Sequence, residues 1–238
     1  MAFSLCVMLC VCASAMGFNV DIPSRVVYRG NNNSMFGFTV QAHVNGDRKM
    51  ILVGAPEDQI YPTELYHVTR PGAVYRCEPG QRNYAGEGVR ALDRCSAMHF
   101  DRDPRNKVDS QGHQIDQKSN QWFGATLTST GRNGAIMACA PRYVSFVTAR
   151  LNQRDPVGSC YVANSPDLTD IKEFSPCRTS SHGERKTGMC QAGFSAALSK
   201  SRHHLPYSCK PGSTMMTNDN VKVRLSTSPV EKLEPARI

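Results

Sequence analysis

Phe36-Gly37-Phe38-Thr39-Val40, followed by Ile51-Leu52-Val53-Gly54-Ala55-Pro56, has a second version further along the chain. That version is Phe123-Gly124-Ala125-Thr126-Leu127, followed by Ala135-Ile136-Met137-Ala138-Cys139-Ala140-Pro141. Each reads as a short strand, a polar turn, and an apolar strand that ends in a small residue, Ala and Pro. The turns, Asn45-Gly46-Asp47 and Gly131-Arg132-Asn133-Gly134, are hairpin signals, because Asn and Gly accept the positive φ that tight hairpins require. A closing Pro fits a strand end, since it has no N–H to give to a ladder. An internal repeat outranks any reading of single elements.

More strand-like material follows each hairpin. In the first unit it is Gly72-Ala73-Val74-Tyr75-Arg76-Cys77 and Ala97-Met98-His99-Phe100; in the second it is Ser159-Cys160-Tyr161-Val162 and a weaker piece from Leu168 to Phe174. Four short strands per unit, repeated and joined by glycine-bearing turns, describe a β-propeller blade. A β-sandwich with two similar hairpins is the other arrangement open at this point. A third unit opens at Ala192-Gly193-Phe194-Ser195 and then degrades. Pro206 stands where its next strand is expected, and proline removes a ladder donor there.

Several stretches carry a family resemblance. Phe18-Asn19-Val20-Asp21 is similar to the start of a mature integrin α chain, and the Phe36-Gly37…Gly54-Ala55-Pro56 unit resembles that family's FG-GAP repeat. PGAVYRC (Pro71 to Cys77), KSNQWFGATLTS (Lys118 to Ser129), SPCR (Ser175 to Arg178) and CQAGFSAALSK (Cys190 to Lys200) match family stretches in order. The resemblance implies an all-β chain, an incomplete β-propeller supplying roughly two and a half of seven four-stranded blades. Residues 18–200 carry it, with blade one at about 34–101, blade two at about 121–175 and a partial blade three from about 190. It further implies disulfides Cys77–Cys95, Cys139–Cys160 and Cys177–Cys190, which leaves Cys209 free. Residues 201–238 form a divergent, polar tail, expected to be disordered, and either a short splice form or a gene-model artefact accounts for it. A chain ending there is expected to leave an open blade edge and to fold poorly alone.

The first stretch, Met1 to Gly17, reads as a signal peptide: apolar, too short for an ordinary membrane span, with Ala13-Ser14-Ala15 or Ala15-Met16-Gly17 as cleavage site. Asn32-Asn33-Ser34 is an N-glycosylation sequon, so Asn32 is the candidate acceptor in a secreted chain. The expected route is the secretory pathway, ending at the cell surface within a full-length receptor, or in the medium if the short chain is real. Half of the net charge of +8 comes from the stretch that starts at Lys200, where Lys and Arg outnumber Asp and Glu by four. A basic tail of that kind does not argue for nucleic acid, which needs a clustered basic face.

The family pairs an α with a β subunit to bind extracellular-matrix or cell-surface proteins in adhesion. Aromatic residues near the propeller axis cage a basic β-subunit side chain, and Phe38, Trp122 and Phe194 match those positions, one per blade. Met35 stands where a Tyr is common. Core packing is the competing reading of all three. Ligand contacts are implied for the loop closed by Cys177 and Cys190, with Arg178, His182, Glu184, Arg185 and Lys186 as candidates; a solvated hairpin tip has the same composition.

No metal or other cofactor is expected. The Asp101-Arg102-Asp103-Pro104-Arg105-Asn106 run lacks the sixth-position glycine and the twelfth-position carboxylate of a calcium loop, and the family's calcium sites lie in later blades. No nucleophile elbow, zincin motif or phosphate loop occurs, so an enzyme is not expected. Two other functions stand beside the receptor reading: a secreted short form that acts as a decoy or has no function, and a secreted propeller enzyme or lectin.

Overall fold

The computed structural model describes residues 26–80, 94–147, 153–168, 170–179, 182–183, 186–199, 213–218 and 221–226, the last two segments by their backbone alone. The signal segment, the Phe18–Asp21 start, Glu184, Arg185 and Cys209 lie outside them. The fold is all-β, in successive antiparallel sheets of the kind a partial β-propeller contains.

The first hairpin joins β1 (Thr39–Asn45) to β2 (Arg48–Ala55) in the register Asn45↔Arg48 to Thr39↔Gly54. A single helical turn, α1 (Thr63–Tyr66), precedes β3 (Ala73–Cys77), and β4 (Cys95–Ala97) completes the sheet in the order β1-β2-β3-β4. The fourth strand was expected at Ala97–Phe100 and lies earlier. Cys95 is the register partner of Cys77, and the pair is disulfide-bonded, which draws the chain into the ladder before Met98.

Next come β5 (Asp116–Gln117), β6 (Thr126–Ser129), β7 (Ile136–Ala140), β8 (Val144–Phe146), β9 (Arg154–Pro156), β10 (Ser159–Ala163) and β11 (Ile171–Phe174). The second four-stranded sheet runs β6-β7-β10-β11, and the short β5, β8 and β9 pair separately. Every residue of β7 and β10 is buried, as suits central strands covered on both faces. Cys139 and Cys160 are register partners there and form the second disulfide.

The third sheet has β12 (Ser195–Ser199), β13 (Ser213–Asn218) and β14 (Val221–Ser226), ordered β12-β14-β13. Among the described residues the strand paired with β12 is β14, and Pro206 lies outside those residues. The chain beyond Lys200 thus contains more regular backbone than its polarity suggested. The period-2 alternation in Val221-Lys222-Val223-Arg224-Leu225-Ser226 is the strand signal that accounts for β14.

The sheets stack through alternating faces. Leu52, Val74, Met50, Met98 and Phe100 from the first join Phe123, Leu127, Met137 and Tyr161 from the second in one core, while Val53, Ala55, Ala73 and Tyr75 pack on the far face with Phe36 and Tyr28. The inner strands β1, β6 and β12 lie side by side. Hydrogen bonds of the same kind recur between repeats, the threonine acceptor shifting by one residue from the first to the second. Thr39 Oγ1 donates to Gly124 O (2.8 Å) and Thr126 Oγ1 donates to Phe194 O (3.0 Å). Phe123 N–H donates to Pro71 O (3.0 Å), and Ala192 N–H, at the matching place, donates to Val157 O (2.8 Å).

Candidate functional site

The aromatic candidates are set by a repeated backbone turn before each inner strand. Two residues before each motif glycine the backbone is left-handed: Met35 (φ 55°), Trp122 (φ 62°) and Gln191 (φ 48°), with Gly37, Gly124 and Gly193 following at φ 91°, 90° and 105°. The turn is closed by Phe38 N–H to Met35 O (3.0 Å) and by Ala125 N–H to Trp122 O (3.1 Å). Trp122 is therefore equivalent to Met35 and Gln191, whereas Phe38 and Phe194 are equivalent to Ala125. The three aromatics come one from each repeat but occupy two different places in it.

Phe38 and Trp122 meet edge to face, with ring centroids 6.1 Å apart and planes at 62°. Phe38 is 49% exposed and Trp122 half-buried, so the pair is a surface feature more than a core one. Phe194 also stands 49% exposed, tied by its carbonyl to Thr126. Arg142, which sequence reasoning passed over, lies over the Trp122 ring with its guanidinium carbon 5.0 Å from the centroid. Nothing in the sequence distinguishes it from any arginine after a strand-ending Pro.

The loop between Cys177 and Cys190, which are disulfide-bonded, is anchored at several points. Arg178, though exposed, is tied down. It donates to the Tyr143 hydroxyl (3.1 Å) and to Glu173 (3.0 Å), with its guanidinium over the Tyr143 ring at 5.8 Å. Gly183 N–H donates to Asp155 Oδ2 (2.8 Å), a carboxylate that is itself buried, and the hydroxyls of Thr179 and Thr187 are 2.9 Å apart. Of the ligand candidates, Arg178, His182 and Lys186 are all exposed, and Arg178 alone is shown held by an ion pair among the described residues.

Glu173 organises the ground beneath this loop. It accepts from Lys107 Nζ (2.9 Å), Ser159 Oγ (2.9 Å) and Arg178. Burial would raise its pKa, but the Lys107 hydrogen bond and the Arg178 and Lys107 charges outweigh that and hold it below the usual value. Burial raises Asp116, which accepts from the Tyr143 hydroxyl (2.8 Å) and the Lys107 N–H (2.6 Å), and burial also pushes up the Tyr143 phenol. The carboxylates of the Asp101–Asn106 run serve the protein itself: Asp101 pairs with the buried Lys118 (2.7 Å) and Asp103 with Arg105 (2.9 Å). Among the described residues no group of three or more His, Cys, Asp or Glu is placed to hold a metal ion, and no helix is long and apolar enough to cross a membrane.

A chain of stacked four-stranded sheets with FG-GAP motifs at its inner strands is of the integrin α propeller class. No protein-family model matches it. Curated relatives do: it is 36% identical to "Integrin alpha-PS2" of Drosophila melanogaster over 81% of its length, and 39% identical to "Integrin alpha-5" of Xenopus laevis over 83%. It is 36% identical to the human "Integrin alpha-8" over 79% of its length. The chain belongs with the integrin α subunits. It spans only 13–18% of the length of these relatives.

Proposed function

We propose that this chain is part of the head of an integrin-type adhesion receptor, a binding subunit and not an enzyme. It pairs with an integrin β subunit through the aromatic surface of Phe38 and Trp122, together with Phe194, exposed on the next repeat. The observation that carries this reading is the Phe38–Trp122 pair: two large rings in edge contact on the surface at the inner-strand starts. Exposed ring faces attract cations, which gives the pair a reason to face outward. The Cys177–Cys190 loop, with His182 and Lys186 among its exposed residues, faces an extracellular protein ligand, and the chain travels the secretory pathway to the cell surface.

The test is capture. The chain is co-expressed with an integrin β subunit in a secretory host, as wild type, Phe38→Ala, Trp122→Ala and Val40→Ala, the last a solvent-facing control. Loss of β-subunit capture in the two ring variants alone is expected. Capture that is equal in all four would reject the assignment of the interface.

A further inference from the structure

Arg142 lies over the face of the Trp122 ring. Its backbone N–H donates to Gln121 O (3.1 Å), which fixes the root of the side chain beside the Trp122 turn. From there the guanidinium reaches the Trp122 ring at 5.0 Å, while Phe38 meets the same indole edge to face. The residue is exposed. Among the described residues no carboxylate lies within ion-pair distance of it, unlike Arg178, whose ring contact is shared with Glu173. Arg142 thus has its own ring and no anion.

We propose that Arg142 is a resident placeholder: it occupies the Trp122 face in the unpartnered chain and is displaced when a partner presents a guanidinium or ammonium group. The inference rests on the reading of Phe38–Trp122 as a cation-binding surface. Two cations cannot share one ring face, and the like charge of Arg142 also repels an incoming one. Removing it leaves the face open. An exposed cation–π contact is worth a factor of roughly two to five in affinity, and that factor is the size of the effect.

Trp122 is the only tryptophan in the sequence, so its emission reads the site directly. The whole chain is titrated at low salt with N-acetyl-arginine amide and, separately, with N-acetyl-aspartate amide, as wild type, Arg142→Met and Arg142→Lys. Far-UV circular dichroism checks that the three fold alike. Arg142→Met is expected to bind the arginine probe roughly two- to fivefold tighter than wild type, with Arg142→Lys between them. Equal affinity in wild type and Arg142→Met overturns the placeholder and leaves the cation surface standing. No response to arginine in any of the three overturns both. Binding of the aspartate probe to wild type that is lost in Arg142→Met also overturns it, because Arg142 would then be an anion receptor.

Discussion

The same substitution at two equivalent glycines separates backbone conformation from contact between repeats. Gly37 and Gly124 open the first and second inner strands at φ 91° and 90°. An alanine Cβ at residue 37 would meet nothing within 4 Å; at residue 124 it would sit 2.4 Å from Ala73 O and 3.3 Å from Ala55 N. Alanine at such a φ costs about 1–2 kcal/mol, and that is the whole expected loss for Gly37→Ala. Gly124→Ala carries the same cost and must also push the two sheets apart. Separation weakens the Thr39 Oγ1 bond to Gly124 O (2.8 Å) and the Phe123 N–H bond to Pro71 O (3.0 Å), each worth about 1 kcal/mol net. Gly124→Ala is therefore expected to lose up to about 2 kcal/mol more than Gly37→Ala. Urea unfolding followed by far-UV circular dichroism measures both, provided the two variants share one denaturant slope. Equal losses would refute the reasoning, because they would mean that the close approach of the sheets contributes nothing.

Two further expectations concern acid and glycan. Glu173 has a folded-state pKa held below its ordinary value of 4.5, so its contribution to stability is present above that value and is lost as pH falls through the depressed one. Glu173→Gln should lower neutral-pH stability by about 1.5–3 kcal/mol and flatten the acid limb; parallel curves for the two proteins would contradict this. Asn32 is exposed, and the sequon's Ser34 is buried with its hydroxyl donating to Asn31 O (2.6 Å). Secretion from a eukaryotic host should give a form whose gel mobility shifts with N-glycosidase, and Asn32→Gln should abolish the shift; a wild-type chain indifferent to the enzyme counts against glycan addition at this sequon.

The parts of the fold legible in the sequence are those written into short-range chemistry. Asn45-Gly46 and Asn133-Gly134 announce hairpins through backbone conformation alone, and the Ala-Pro endings mark where central strands stop. The β5-β8-β9 sheet gives no such signal, because strands of two or three residues are too short to show a period. The candidate site is half legible. Phe38 and Trp122 stand out in the sequence, and their inequivalent places, already given by the alignment of Phe36-Gly37-Phe38 with Phe123-Gly124-Ala125, gain a physical basis in the φ values of Met35, Trp122 and Gln191. Arg178 reads as a surface charge because its partners, Tyr143 and Glu173, come from other parts of the chain. Arg142 is invisible for the same reason: a cation–π contact leaves no trace in local spacing.

Thr39 and Thr126 occupy the first position of their inner strands, and each hydroxyl reaches forward to a carbonyl of the following repeat. Ser195 brings a hydroxyl to the corresponding position of β12. The stack therefore has a direction, like a row of hooks and eyes: the second unit offers an acceptor to the first and a donor to the third. Such a row favours one orientation of the neighbour, since a reversed unit would leave carbonyl facing carbonyl with no donor between them. A lost hook acts first on the one seam it closes, because Thr39 and Thr126 each bond a different following repeat.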